Sequence, residues 1–159
     1  MLFRSVFVNA PVAEILAVAA SVGLDVVQLH GEEPAADGAA LSAAGLTVWK
    51  AIAVRGADDL AQLAAWPAAA HVLDAPSAAR GGSGQTFDWS HAAAAVAAGH
   101  AIVLAGGLTA RNVASAIATV RPLVVDVASG VERAPGDKDP HKVFEFLDAA
   151  HRNVSYLRR

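Results

Sequence analysis

An α/β fold built on a parallel sheet is what this sequence predicts, and three observations predict it. Short β-rich runs alternate with amphipathic helical runs along the whole chain. Several of the β-rich runs, among them DVVQLH, TVWKAIAV and LVVDV, are nearly continuous in apolar residues rather than alternating. That is the pattern of parallel strands covered on both faces. Polar residues gather at the C-terminal ends of these runs, where folds of this class place their chemistry. The 159 residues suffice for one domain with its own core.

The first strand is expected around Val6 to Val8. Asn9 suits a helix N-cap and Pro11 its first turn; Ile15, Leu16, Ala19 and Val22 then share a face before Gly23 stops the helix. Asp25 to His30 forms the second strand, and the following helix ends at Gly45. Thr47 to Val54 is the third, followed by a helix through Leu60 and Leu63 that stops before Pro67. His71 to Asp74 is the fourth. A Gly-rich loop leads to Asp88, a cap for the alanine-rich helix that ends at Gly99. Ala101 to Gly107 is the fifth strand, and Thr109 caps a helix with Val113, Ile117 and Val120 on one face. Leu123 to Val127 is the sixth. Asp139-Pro140 opens the last helix, with Val143, Phe144 and Leu147 expected to face inward.

The repeat is roughly 20 to 30 residues long and gives about six βα units. Right-handed units in series close into a (β/α)₈ barrel or lie open as a doubly wound sheet. A closed barrel takes eight units and about 200 to 250 residues. Periodicity therefore leaves an open six-stranded sheet, or a barrel lacking about two units.

Composition excludes several functions. Hydrophobic residues make up 55% of the chain, much of it alanine, but no stretch reaches the ~18 apolar residues of a membrane span. The N-terminus lacks the basic and apolar regions of a secretion signal. Net charge is -3 with no basic run, so neither nucleic acid nor membrane is an expected partner. There is no cysteine, which rules out disulfides, thiolate metal sites and a cysteine nucleophile or base within these residues. The expected compartment is the cytoplasm. The six histidines show no metal-ligand spacing, so no metal is expected.

The strand ends hold His30, Arg55, Asp74, Gly106, Gly107, Asp126, Ser129 and Gly130. Asp74 ends an apolar run. Partial burial there raises a carboxyl toward neutrality, as a general acid requires, although a turn aspartate bonding backbone amides would look the same. Gly106-Gly107 precedes LTARNV, and ASGVE repeats the arrangement after the next strand. Glycines let a backbone approach an anion closely, and two such adjacent loops fit the phosphate site that barrels build after their last two strands. Ordinary turn glycines are the alternative. Asp126 lies within an apolar run and needs a partner there. GGSGQTFDW is not a P-loop, since no Gly-Lys-Ser/Thr ends it; it suits a lid or a connection. His30 could be hydrogen-bonded scaffolding.

Taken together, VGLDVVQLHGEE, VLD followed by GGSGQTFDW, LAGGLTARNV and DVASGVE resemble the phosphoribosylanthranilate isomerases of tryptophan biosynthesis, from FVNAP to the last helix. The resemblance implies a (β/α)₈ TIM barrel and places this chain at strands three to eight, an incomplete barrel of about six βα units in a single domain. It implies a cofactor-free Amadori rearrangement of phosphoribosylanthranilate to 1-(2-carboxyphenylamino)-1-deoxyribulose 5-phosphate. An acid protonates the ring oxygen and opens the furanose to an iminium ion, a base removes the C2 proton, and the enolamine becomes a ketone. By resemblance the acid is Asp74, the phosphate sits on Gly106, Gly107, Ala128, Ser129 and Gly130, and His30 and Asp126 contact substrate. The family usually has serine where Ala128 stands, so one hydroxyl is lost.

Two family features lack counterparts: a cysteine base on the first barrel strand, in a Lys-Ile-Cys-Gly type of motif, and an arginine after the second. The chain alone is accordingly expected to be inactive, and to self-associate through exposed strand edges. Residues 1–5 are expected to be non-native, because LFRS is what CTC TTC CGA TCT encodes, a string resembling the end of a common sequencing adapter. The competing readings are a non-catalytic phosphate-binding or interaction protein, and another phosphate-binding barrel isomerase or epimerase.

Overall fold

The computed structural model describes residues 3–76 and 86–157, with side chains to residue 152. Gly81 to Gln85 of the Gly-rich segment lie outside the described residues. Six strands pair in chain order, all parallel: β1 (Arg4–Phe7), β2 (Val26–Leu29), β3 (Thr47–Ala53), β4 (Ala70–Asp74), β5 (Ile102–Leu104) and β6 (Val124–Val125). Helices α1 (Val12–Val22), α2 (Ala35–Ala43), α3 (Ala61–Ala65), α4 (Trp89–Ala97) and α5 (Val113–Val120) connect them, and α6 (Pro140–Leu157) follows the last. The repeat read from the sequence is therefore present in number, order and direction.

Register and side-chain alternation divide the sheet into two faces. Val27, Leu29, Val48, Ile52, Leu73, Ile102 and Leu104 point toward the helices and form two buried clusters with them. The opposite positions, Ala51, Ala70, Val72, Val103 and Ala105, pack on one another and on Trp49. This second face is concave: Arg4 of β1 reaches Asp126, just past β6, at 2.8 Å, so the first and last strands curl toward each other. Six parallel strands thus form a curled, TIM-like half-barrel.

Strand burial follows position in the sheet. β2 and β4 are buried throughout, whereas the edge strands β1 and β6 are half open. Phe3, Val6 and Val8 are exposed at one edge, and Leu123 and Val124 at the other. No helix of the described residues is long and apolar enough to cross a membrane.

Several local expectations change. Asn9 does not cap α1, whose N-cap is Pro11. It takes a left-handed φ of 53°, which asparagine tolerates better than most residues. From there its Oδ1 accepts the Glu32 amide at 2.7 Å, tying the loop after β1 to the loop after β2. Gly23, at φ 68°, ends α1 as read, but Val22 is exposed. Asp88 does cap α4, accepting from Ser90 N at 2.9 Å. α5 begins only at Val113, because residues 109–112 form a turn.

α6 buries Phe146 and Ala150, with Val143 packed against the core, while Phe144 and Leu147 are 70% and 47% exposed. In the VFEFL run apolar residues occupy two adjacent faces, and only the i, i+3, i+7 series meets α5 and the sheet. A short antiparallel pair, β7 (Glu132–Ala134) and β8 (Asp137–Lys138), which the periodicity did not suggest, lies between β6 and α6.

Candidate active site

The concave face carries the polar residues to the C-terminal edge. Asp74, the last residue of β4, shares the inward parity of Val72. His30 stands one residue past β2, and its Nε2 lies 3.7 Å from Asp74 Oδ2. The Asp74 side chain is 12% exposed. Burial pushes its carboxyl above the usual aspartate range, and the nearby Asp126 charge adds to this; His30 and the Ala75 amide pull the other way without prevailing. A carboxyl so placed holds a proton at a higher pH than an exposed one, the property a general acid needs.

The glycine loop after β5 lies directly against this carboxyl. Gly106 has φ 80°, and a Cβ there would collide with the Ala75 amide nitrogen and stand 2.8 Å from Asp74 Oδ1. Only glycine allows that approach. Asn112 staples the loop, donating from Nδ2 to the Gly107 carbonyl at 3.0 Å and accepting the Thr109 amide at 2.8 Å. The Thr109 N–H is therefore engaged within the loop.

The loop after β6 packs on the first. A Cβ at Gly130 would collide with the Leu108 carbonyl oxygen. Ser129 and Gly130 lie in a 3₁₀ turn, Ser129–Val131, and Lys138 Nζ of β8 donates to the Ala128 carbonyl at 2.9 Å and to Glu132 at 2.6 Å. The β7–β8 pair thus brings an ammonium group to this loop. Replacement of Gly130 by alanine should cost about 1 to 3 kcal/mol, because the obstructing atom is backbone and cannot swing aside. Thermal melts of the parent and the variant check it.

On the other side of Asp74 opens a cavity of about 510 Å³ lined by His30, Glu33, Lys50, Arg55 and Asp74 among others. Beneath its rim Lys50 Nζ donates to Glu33 Oε2 and to the Gly31 carbonyl, each at 2.7 Å, and the Trp66 indole N–H donates to the Glu33 carbonyl at 2.9 Å. Glu33 Oε1 also accepts the amides of Asn9 and Gly31. This clamp fixes the loop that presents His30. It had a signal in the sequence: a lysine inside TVWKAIAV is a buried charge that requires an acid.

Asp126 does find a partner, the Arg4 guanidinium, which also donates to Gln28 Oε1 at 2.6 Å. Arg4 and Gln28 are residues of the site that the sequence reading missed. His30, Asp74, Asp126 and the two glycine loops all meet at one edge of the sheet.

The sequence profile of the family described as N-(5'phosphoribosyl)anthranilate (PRA) isomerase matches residues 2–149. A relative of that name from Citrifermentans bemidjiense is 51% identical over 148 residues, covering 91% of this chain and 68% of the relative. One from Pelobacter propionicus is 49% identical over 156 residues, covering 96% and 72%. The crystal structure of phosphoribosyl anthranilate isomerase from Thermotoga maritima superposes with a TM-score of 0.85 at 41% identity, covering 94% of this chain and 72% of that one. Likeness of sequence and likeness of fold span the same residues that bring Asp74 to the glycine loops, and on that ground the chain belongs to the N-(5'-phosphoribosyl)anthranilate isomerase family.

Proposed function

We propose that these residues supply the acid and the phosphate cradle for the Amadori rearrangement of phosphoribosylanthranilate in tryptophan biosynthesis. The 5-phosphate lies on the backbone of Gly106, Gly107, Ala128, Ser129 and Gly130, with a backbone N–H in place of the missing hydroxyl at Ala128. That anchor sets the ribose beside Asp74, which protonates the ring oxygen and opens the furanose. His30 and Asp126 contact the sugar and the amine. The observation that supports this reading is the close approach of Gly106 to Asp74, such that a Cβ built on the glycine would stand 2.8 Å from Asp74 Oδ1. A solved family member, in complex with reduced 1-(o-carboxyphenylamino)-1-deoxyribulose 5-phosphate, superposes with a TM-score of 0.78 at 36% identity. It supports a phosphorylated small molecule as the ligand class.

The reaction also needs a base at C2. No cysteine is present among the 159 residues, so these residues alone should open the ring without completing the isomerisation. The exposed edges of β1 and β6 are the surfaces through which such a chain would self-associate. The test is a chimera in which the front segment of a relative, carrying the cysteine motif, replaces residues 1–5 and joins at Val6. Rescue of a tryptophan auxotroph by the chimera, with no rescue by the 159-residue chain, is the expected result. Failure of a folded chimera to rescue would overturn the assignment.

A further inference from the structure

We propose that Gln28, oriented in this chain by Arg4, is a positioning residue that fixes the tautomer of His30, so that the imidazole presents an Nε2–H to Asp74. The argument rests on donor and acceptor identities. A guanidinium has five donors and no acceptor. The Gln28 atom that meets Arg4 Nη1 at 2.6 Å must therefore be the amide oxygen, and the same side chain then turns its NH₂ toward His30. That NH₂ lies 3.1 Å from His30 Nδ1. Two donors cannot share this contact, so Nδ1 is the lone-pair nitrogen and the ring proton sits on Nε2, 3.7 Å from Asp74 Oδ2.

The relay has little freedom. Gln28 is 2% exposed. Arg4 is held from a second side by Asp126 at 2.8 Å and lies over the Trp49 ring, 5.3 Å from its centroid. An amide flip at Gln28 would set its NH₂ against the guanidinium, donor against donor in a buried place. The ring proton on Nε2 therefore faces the Asp74 carboxyl, 3.7 Å away. Its bearing on proton donation by Asp74 rests on the isomerase reading; the tautomer does not.

The experiment is histidine-selective ¹⁵N labelling of the chain and long-range ¹H–¹⁵N correlation at about pH 8, where an ordinary imidazole is neutral. His30→Gln identifies the His30 signals. His71, whose Nε2 meets the Trp66 carbonyl at 2.8 Å, is the internal reference for an intact fold. In the parent chain His30 Nε2 should appear protonated and Nδ1 unprotonated. Gln28→Glu, which offers an oxygen to both neighbours, should move the proton to Nδ1. Arg4→Met should give exchange-averaged tautomers, and Arg4→Lys should restore the parental pattern. A protonated Nδ1 in the parent overturns the proposal, and needs no variant to fold. An unchanged His30 pattern in Arg4→Met, with His71 unperturbed, overturns the role of Arg4.

Discussion

Lys50→Met should cost about 3 to 5 kcal/mol of folding stability, the penalty for removing one partner of a buried ion pair. The Lys50 and Glu33 side chains are 7% and 2% exposed and meet at 2.7 Å. Without the ammonium, Glu33 is left a buried carboxylate, and the Gly31 carbonyl loses its donor. For a domain whose total stability is about 5 to 15 kcal/mol, that is a large fraction. Lys50→Met combined with Glu33→Met should recover only part of the loss. An isolated buried pair can often be replaced by apolar residues at little cost, but Glu33 also accepts the Asn9 and Gly31 amides, which the double variant leaves unpaired. Urea denaturation of the three chains measures each step. A loss below about 1 kcal/mol in the single variant would place the pair among solvent-exposed bridges.

The same pair sets an acid limit. Burial by itself would raise the Glu33 carboxyl, but the Lys50 hydrogen bond, the backbone donors and the ammonium charge outweigh it and hold the group below its ordinary 4.5. A depressed carboxyl contributes stability above its unfolded pKa and loses it as pH falls through the folded value. The parent should therefore give up this advantage as pH falls below the ordinary 4.5 and through its own depressed Glu33 value, so the gap between parent and Lys50→Met is full at neutral pH and shrinks in acid.

The elements that proved legible were those whose signal is local. A parallel strand covered on both faces announces itself as an apolar run, as Asp25 to His30 does. The glycine loops were readable because a close backbone approach requires the absence of a side chain, and Gly106 and Gly130 each meet backbone where a Cβ would stand. Asn9 misled because its local pattern fits a cap, whereas its use is a bond to Glu32 across 23 positions. The Arg4–Asp126 bridge spans 122 positions and exists only because the sheet curls. No periodicity encodes that closure. The inward and outward faces of α6 were confused because Phe144 and Phe146 are equally apolar, and only the neighbouring α5 decides which is covered.

Asp74→Asn should affect chemistry and stability in opposite directions. In the chimera that carries a base, loss of the acid should lower kcat by about 10² to 10⁴, the usual worth of a positioned proton donor. KM should change little, since the phosphate loops are untouched. Folding should respond the other way. The Asp74 carboxyl is raised by burial and by Asp126, so its contribution to stability is complete below the unfolded pKa and declines as pH rises through the folded value. An amide has nothing to ionise. Melts of the 159-residue chain and its Asp74→Asn variant should therefore nearly coincide at about pH 4 and separate at neutral pH, with the variant melting higher. An equal fall in stability at both pH values would mean that Asp74 is a structural turn residue bonding the Ala75 amide. Retention of full turnover by the variant chimera would show that another group opens the ring. The combination of a slower enzyme and a firmer fold is what a carboxyl held ready to give up its proton requires, because the burial that raises its affinity for that proton also makes its anion costly to keep.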